Sequence, residues 1–428
     1  MAETDIAVAA PTAGSTGFPS YLYAQGGWFL AFGLQMVLFP YLVRVILQEN
    51  EIRFGLAQMS MQLPTALLIL VGGFMADRVD TLRVVVVGCG IAAVAFLGLA
   101  AIMVTGGLTY GLMIGYALVI GSIGAFVMPA RDALLTRVAP GSVHQGVAFA
   151  SIAQFAGQIL GMGLATLTPI IGVPALLFGQ GALMGSAAFA ATRVRPRPAQ
   201  ARRVREGNLL AFMASEIGGG FAAARASPVI APVIICAVGM GLCFMGAFAV
   251  LLPLIVQSYF PAHMVGAERT QIAVALGIFN LLFWVGSFTS AMLLVRFGHV
   301  RRKGVAYLLA LSVGALVLIA CSLPMPLYVL YGLNFIWGLG GGVAMTLGRG
   351  LVQHHAPPEK LARVLSIFVL GNMGAAPAGA LAYGFLAHAI GPKTAILIPG
   401  FGMLAIIGAV AVFSKLRRLD EAHPEAVA

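Results

Sequence analysis

Nine long runs of this sequence contain no aspartate, glutamate, lysine or arginine, and this spacing of charge limits the folds open to the chain. A helix needs about 20 consecutive apolar residues to cross a bilayer. Hydrophobic residues make up 60% of the 428 positions, well above the roughly 45–50% of soluble domains. The pattern therefore predicts an all-α integral membrane protein. The runs are residues 6–43, 54–76, 84–130, 138–192, 226–267, 270–295, 304–348, 364–392 and 394–414.

Three of these runs are long enough for two crossings each, and each has a helix breaker near its middle. The breakers are Gly106-Gly107, Gly172-Val173-Pro174 and Pro324-Met325-Pro326. Nine runs and three additional crossings predict twelve transmembrane spans.

The net charge of +11 reports membrane orientation. With the N-terminus inside, Arg44, Arg53, Arg269 and Lys393 fall in outside loops, and the other 21 of the 25 basic residues (25 − 4) fall inside. This asymmetry is the positive-inside rule. It predicts a multi-pass protein of the inner (cell) membrane with both termini cytoplasmic, and anionic lipid headgroups as partners of the basic loops. No nucleic-acid partner is expected.

The polar segments divide the chain. Residues 1–19 are predicted to be a disordered cytoplasmic tail, and 20–192 and 228–415 to be two six-helix halves. The arginine-rich interruption 193–227 is predicted to be a cytoplasmic linker whose middle, Gly207 to Ala224, forms a helix along the membrane surface. Ser227 and Pro228 have the sequence of an N-cap and a first-turn proline. Residues 416–428 form a second cytoplasmic tail.

The two halves resemble each other in sequence. GLQMVLFPYLVR (33–44) matches GAFAVLLPLIVQ (246–257) at an offset of 213, which makes Pro40 and Pro253 equivalent helix-kink positions. RDALLTRVAP (131–140) parallels RGLVQHHAP (349–357). Matches in the same order predict an internal duplication, which is common in transporter folds.

The stretch GGFMADRVDTLR (72–83) concentrates Asp77, Arg78, Asp80 and Arg83 in a chain with 9% charged residues. Its place between spans 2 and 3 resembles the loop signature G-x-L-A-D-R-x-G-R-K of the major facilitator superfamily. Asp80 and Thr81 depart from that pattern. The D-R-x-D variant, MPARDALLTRVAP (128–140) and the segment 364–397 are similar to the branch that contains enterobactin and macrolide exporters.

The resemblance implies a major facilitator fold and a latch on the cytoplasmic side. A carboxylate at the end of span 2 can accept hydrogen bonds from the free N–H groups of a helix N-terminus, which in this superfamily belongs to span 11. Asp77 would hold that contact. The family's loop arginine reaches an acid at the inner end of span 4, where Arg131 and Asp132 lie; Arg83 and Arg78 are the alternatives for that partner. A solvated charge cluster without a latch is the competing interpretation.

Uncharged polar and aromatic residues form stripes at helical spacing. Lipid cannot satisfy an amide, so each stripe faces another helix or a wet cavity, and interhelical hydrogen bonding is the alternative for any one amide. The predicted substrate-cavity residues are Gln25, Trp28, Phe32 and Gln35 of span 1, Asn280 and Trp284 of span 8, and Asn334 and Trp337 of span 10.

Taken together, these features predict a monomeric secondary transporter that exports a small amphipathic, drug- or siderophore-like molecule by alternating access. No carboxylate lies in the middle of a predicted span, which favours neutral, amphipathic or anionic cargo and leaves a proton as coupling ion without an obvious carrier. An uptake carrier or facilitator is the first alternative; a membrane-embedded enzyme or lipid-handling protein is the second. No cofactor, metal site or catalytic residue is predicted, since the four cysteines and the histidines lack metal-site spacing.

Overall fold

The computed structural model describes residues 17–76, 79–139, 143–197, 218–222, 224–261, 264, 266–297, 300–357 and 360–418. These residues form helices and connecting turns, with no strand among them. Twelve long helices follow one another. The first six are α1 (Phe18–Ile46), α2 (Glu51–Ala76), α3 (Thr81–Val104), α4 (Tyr110–Val138), α5 (Val143–Ala165) and α6 (Val173–Thr192). The second six are α7 (Ile230–Gln257), α8 (Thr270–Phe297), α9 (Lys303–Ala320), α10 (Leu327–His355), α11 (Leu361–Ile390) and α12 (Pro392–Phe413).

The number of crossings agrees with the sequence prediction. Eleven of the helices are long and apolar enough to span a membrane over their described residues. The twelfth, α2, has 26 residues, so it also has the length of a crossing. The prediction of an all-α membrane fold with twelve helices in two halves is therefore confirmed.

Local chemistry sets several helix starts. Asp80 caps α3 by accepting a hydrogen bond from the backbone N–H of Leu82 at 3.0 Å. Ser227 Oγ accepts from the N–H groups of Val229 and Ile230 at the start of α7, as its sequence predicts. The first helix begins at Phe18, two residues before the predicted start of the first half at residue 20. The predicted surface helix 207–224 lies outside the described residues except for 218–222 and 224, which are helical.

The pseudo-equivalent helices α1 and α7 are both irregular, α1 at its C-terminal end and α7 from its middle onward. Pro40 lies inside α1, and the helix widens into a π-helical turn directly after it, at Leu42–Ile46. Proline removes one backbone donor and crowds the preceding turn, which favours such a distortion. In α7 a π-helical turn occupies Met240–Met245, and a break at Val250 precedes Pro253.

Packing follows the predicted duplication. In the first half α1 packs on α5, α2 on α4, and α3 on α6; in the second half α7 packs on α11, α8 on α10, and α9 on α12. The halves join chiefly through α2 with α11 and α5 with α8, and α1 makes a smaller contact with α8. Each of the main pairings has its equivalent after exchange of halves, so the bundle has pseudo-twofold symmetry.

Glycines allow the closest of these contacts. Gly157 and Gly161 of α5 lie directly on the backbone of α1 at Gly26 and Leu30. The spacing of these two small residues lets α5 approach α1 closely. Because both Phe18 and Phe413 lie at one end of the bundle, we call that end the terminal end and the opposite end the distal end.

Candidate functional site: the cleft between the halves

We call the space between the facing helices of the two halves the cleft. A polar cluster closes this cleft at the distal end. Arg44, near the end of α1, donates from Nε to Oε1 of Gln257 at the end of α7, at 3.1 Å. Its Nη2 lies 3.0 Å from Oε1 of Glu51 on α2, and its Nη1 donates to the backbone carbonyl of Glu49. One guanidinium therefore joins three segments and both halves through charge-assisted bonds.

Two further residues, His388 and Arg269, make contacts between the halves at this end. Nδ1 of His388 on α11 lies 3.2 Å from Oε2 of Glu51. Arg269, just before α8, donates to the carbonyl of Val45 at 3.5 Å, and to the Gln48 amide oxygen at 2.9 Å when that amide is oriented to face it. We call Arg44, Glu51, Gln257, Arg269 and His388 the distal cluster. A cavity of about 490 Å³ lies beside it, bordered by Arg44, Gln48, Glu51 and Arg269.

Backbone contacts reinforce the distal closure. Gly55 of α2 and Gly384 of α11 touch directly, so that a Cβ on either would meet the other's backbone. On the other side of the cleft, Gly277 of α8 lies against Met162 and Thr166 of α5. The hydrogen bonds and the ion pair made by Arg44, Arg269 and His388 join the two halves at the distal end.

Aromatic side chains occupy the middle of the bundle. Phe155 of α5 contacts Trp284 and Phe288 of α8 across the cleft, with ring centroids 6.3 and 5.4 Å apart. Behind them, Phe283 contacts both Trp284 and Trp337 in edge-on geometry. Such rings combine large apolar area with directional packing. The indole Nε1 of Trp284 is buried and has no hydrogen-bond partner.

The predicted cavity residues of α1 divide between two environments. Phe32 is 43% exposed. Gln25 and Gln35 are buried, and Gln35 Oε1 accepts a hydrogen bond from the Tyr116 hydroxyl at 2.6 Å. Trp28 is half-buried and lines a small internal void of about 10 Å³ together with Gln25. The structure thus places Phe32 toward open space, and Gln35 in an interhelical hydrogen bond.

The predicted residues of α8 and α10 lie close together. Asn334 Nδ2 donates to the carbonyl of Phe279 at 2.5 Å, and Asn280 Nδ2 donates to Leu276 of its own helix at 2.8 Å. Trp337 is buried against Phe244, Phe248 and Phe283. Asn334 and Trp337 therefore join helices within the second half, whereas Trp284 meets the opposite half through Phe155.

At the terminal end, the described charged residues of the predicted latch form two separate groups, one at the start of α3 and one on α4. Asp77 and Arg78 fall outside the described residues. Arg83 pairs with Asp80, with Nε 3.8 Å from Oδ2, and both side chains are largely exposed. Arg83 thus contacts its own helix cap in this arrangement, and its pairing with Asp132 stays a prediction. Arg137 of α4 donates to Thr81 Oγ1 at 3.2 Å instead.

Asp132 lies at the terminal end of α4, where it is close enough to Arg349 of α10 for an electrostatic interaction. Both side chains are exposed. The neighbouring Arg131 is 4% exposed, stacks on the ring of Phe29 at 4.6 Å, and leaves Nε and Nη1 without partners. Arg131 and Arg349 are equivalent in the internal repeat, so an arginine from each half flanks this one carboxylate.

The distal cluster was not among the predicted site residues. A signal for it was nevertheless present, because Arg44 aligns with Gln257 in the repeat at an offset of 213. Residues that are equivalent under a twofold axis and lie near that axis must meet. The structure brings these two side chains within hydrogen-bond distance.

A twelve-helix bundle of two pseudo-symmetric halves around a cleft is the architecture of a major facilitator superfamily transporter. The chain belongs to that superfamily: residues 29–428 match the family described as transmembrane secretion effector. It is therefore a multi-pass membrane transporter. Among curated proteins, none matches this sequence significantly.

Solved structures of other transporters share the fold. The nucleoside transporter NupG superimposes with a TM-score of 0.71 at 14% identity, covering 93% of this chain and 99% of that one. A mutant of the peptide transporter POT gives 0.70 at 16% identity, over 94% and 96% of the chains. A bacterial homolog of the human lysosomal transporter Spinster, in an inward-facing and unoccupied conformation, gives 0.65 at 14%, over 94% and 97%. At these identities the likeness concerns the fold.

Proposed function

We propose that this transporter exports a small amphipathic molecule by alternating access, with cargo bound in the cleft between the halves. The observation that carries the proposal is the polar closure of the cleft at the distal end. Polar contacts between described residues join the halves at the distal end, whereas α4 and α10 present the exposed Asp132 and Arg349 at the terminal end. A second arrangement, closed at the terminal end, would follow from rocking of one half against the other.

The walls of the cleft favour cargo with apolar surface. Phe32 is exposed, and Phe155, Trp284 and Phe288 meet at the middle of the bundle. The described acidic residues, including Glu51 and Asp132, lie toward helix ends. A cation buried at mid-membrane would lack a counter-charge there, so neutral or weakly anionic amphipathic cargo is the better match. Gln25, Trp28, Asn280 and Trp284 are proposed to contribute polar contacts.

The terminal-end latch completes the cycle in this proposal. When the distal end opens, Asp77 at the end of α2 would cap the N-terminus of α11, where backbone N–H groups carry partial positive charge. The proposal places both termini on the cytoplasmic side of the inner membrane, as the distribution of basic residues predicts.

Export can be tested with energised inside-out vesicles and a panel of fluorescent amphipathic dyes. Vesicles that contain the protein should accumulate dye. Asp77→Asn should lower the accumulation rate about tenfold, because an N-terminal capping charge contributes up to about 2 kcal/mol to one conformer. The matched control is Arg53→Gln, whose exposed pair with Glu49 lies outside the cleft; it should transport at the normal rate.

The alternatives predict different results in the same system. An uptake carrier would deplete dye from inside-out vesicles or accumulate it in right-side-out ones. A membrane enzyme would convert its substrate after detergent extraction, when two compartments no longer exist. Normal transport by Asp77→Asn would refute the latch, and accumulation that survives collapse of the proton gradient would exclude a proton as the coupling ion.

A further inference from the structure

The distal cluster contains a histidine at the contact between the halves. His388 is on α11, and its Nδ1 lies 3.2 Å from Oε2 of Glu51 on α2. The other carboxylate oxygen of Glu51 lies 3.0 Å from Arg44 Nη2. A single carboxylate therefore holds a permanent cation from its own half and a titratable ring from the opposite half.

The charges around this ring come from each neighbouring segment. Glu51 faces it from α2, and Arg44 of α1 lies on the far side of that carboxylate. Glu49 pairs with Arg53 at 2.9 Å, which directs its charge away from the ring. In the first turn of α12, Lys393 stacks on Tyr259 at 5.2 Å, and Arg269 is held by Gln48 and backbone carbonyls. Glu51 is thus the acidic partner for a charged His388.

We infer that His388 and Glu51 form an acid-stabilised lock on the distal end, which holds the two halves together there when the imidazole is protonated. Imidazole is the side chain that gains charge between about pH 8 and pH 5. A neutral ring offers Glu51 at most one ordinary hydrogen bond. The imidazolium adds attraction between opposite charges to that hydrogen bond, and the attraction exists in the distal-closed arrangement because its partners belong to different halves.

The direction of the effect follows from this geometry. Acidification on the distal side favours the distal-closed arrangement, and alkalinisation favours separation of α2 from α11. His388 is 54% exposed and Glu51 26% exposed, so protons have access from that side and solvent weakens the pair. The expected change is therefore modest, about threefold in the ratio of closed to open molecules between pH 8 and pH 6.

Spin-label distance measurements on the full chain in lipid nanodiscs can test the lock. Labels at Ile46→Cys and Leu323→Cys report the distal separation of the halves, because both positions are exposed and lie on different halves. The native cysteines Cys89, Cys236, Cys243 and Cys321 are buried, and the chain without added cysteines gives the background. Lowering the pH from 8 to 6 should raise the short-distance population about threefold relative to the long one.

Variants separate the lock from general effects of pH. His388→Gln keeps a hydrogen-bonding side chain that cannot gain charge, so the pH response should disappear. Glu51→Gln should have the same result. The matched control is His355→Gln at the terminal end of α10, where Nδ1 faces the Leu351 carbonyl; its response should equal that of the unmodified chain.

This inference rests on the proposed function in one respect: the two halves must separate at the distal end. Its failure can be distinguished from failure of the proposed function. Two distance populations in a ratio independent of pH, or a full response in His388→Gln, would overturn the lock and leave alternating access intact. A single distal distance at every pH would overturn both.

Discussion

Arg131 shows how far a single residue can depart from ordinary packing in this bundle. Its guanidinium is buried, with Phe29 on one face and two N–H groups that lack acceptors. An unsatisfied buried donor is destabilising, and a buried charge more so. The adjacent Asp132 and the facing Arg349 place it at the terminal end of α4, the end that opens and closes in the proposed cycle.

Arg131→Met should therefore stabilise the isolated protein. The substitution keeps most of the apolar volume and removes two unsatisfied donors, so we expect a gain of about 1 kcal/mol in the free energy of unfolding. The midpoint of thermal unfolding in detergent measures it. Arg349→Met, at the exposed equivalent position, is the control and should change stability by less than about 0.5 kcal/mol. A lower midpoint for Arg131→Met would show that its guanidinium is satisfied in the folded state.

At the scale of elements, glycines mark the places where two helices pack most closely. Gly161 lies on the Leu30 carbonyl of α1, and Gly338 of α10 lies on the Phe283 carbonyl of α8. The apolar surroundings of a membrane supply little drive for helices to associate, so close backbone packing has to provide it. These glycines determine which helices are neighbours within each half.

Gly161→Ala should loosen α5 from α1. The added methyl group would collide with a backbone carbonyl that cannot move without its helix, and overpacking of this kind costs about 1–3 kcal/mol. Gly90→Ala on α3, where the methyl group meets no atom within 4 Å, is the matched control and should gain up to about 1 kcal/mol from helix propensity. Thermal unfolding of both variants in detergent compares them. Equal midpoints would mean that the α1–α5 contact contributes little to stability.

At the scale of the whole molecule, the distal cluster joins the two halves at one end of the cleft. Arg44 and Gln257 come from equivalent places in the two halves and meet across the pseudo-twofold axis. In the proposed cycle these polar contacts are broken and formed again in each turnover.

A reversible cross-link at this contact should stop the cycle. In the double variant Arg44→Cys/Gln257→Cys, a reducible bis-maleimide joining the two thiols would hold the halves in the distal-closed arrangement. Dye transport should fall to the background of empty vesicles and return after reduction. A link within one half, Glu49→Cys/Arg53→Cys, controls for the chemistry and should leave transport unchanged. Transport that continues through the cross-linked distal contact would contradict alternating access.

Much of this architecture could be predicted from the sequence because the bilayer restricts the choice. Charge-free runs of sufficient length can only become spanning helices, so twelve crossings follow from residue order. Repeated motifs at offsets of 213 to 218 indicate two equivalent halves. The stripe that holds Gln35 and Phe32 identifies a polar face, but periodicity leaves open whether that face meets a helix or a cavity, and the two residues differ in this respect.

The sequence by itself determined the class of fold, the number of spans and the duplication, because these depend on hydrophobicity and spacing along the chain. Only the tertiary structure decided which charges meet. Arg44 and Gln257 are 213 positions apart, and Glu51 and His388 are 337 apart, so their contact depends on how two helical halves are set against each other. Arg83 instead pairs with Asp80, the cap of its own helix, because Asp80 is only three residues away in the sequence.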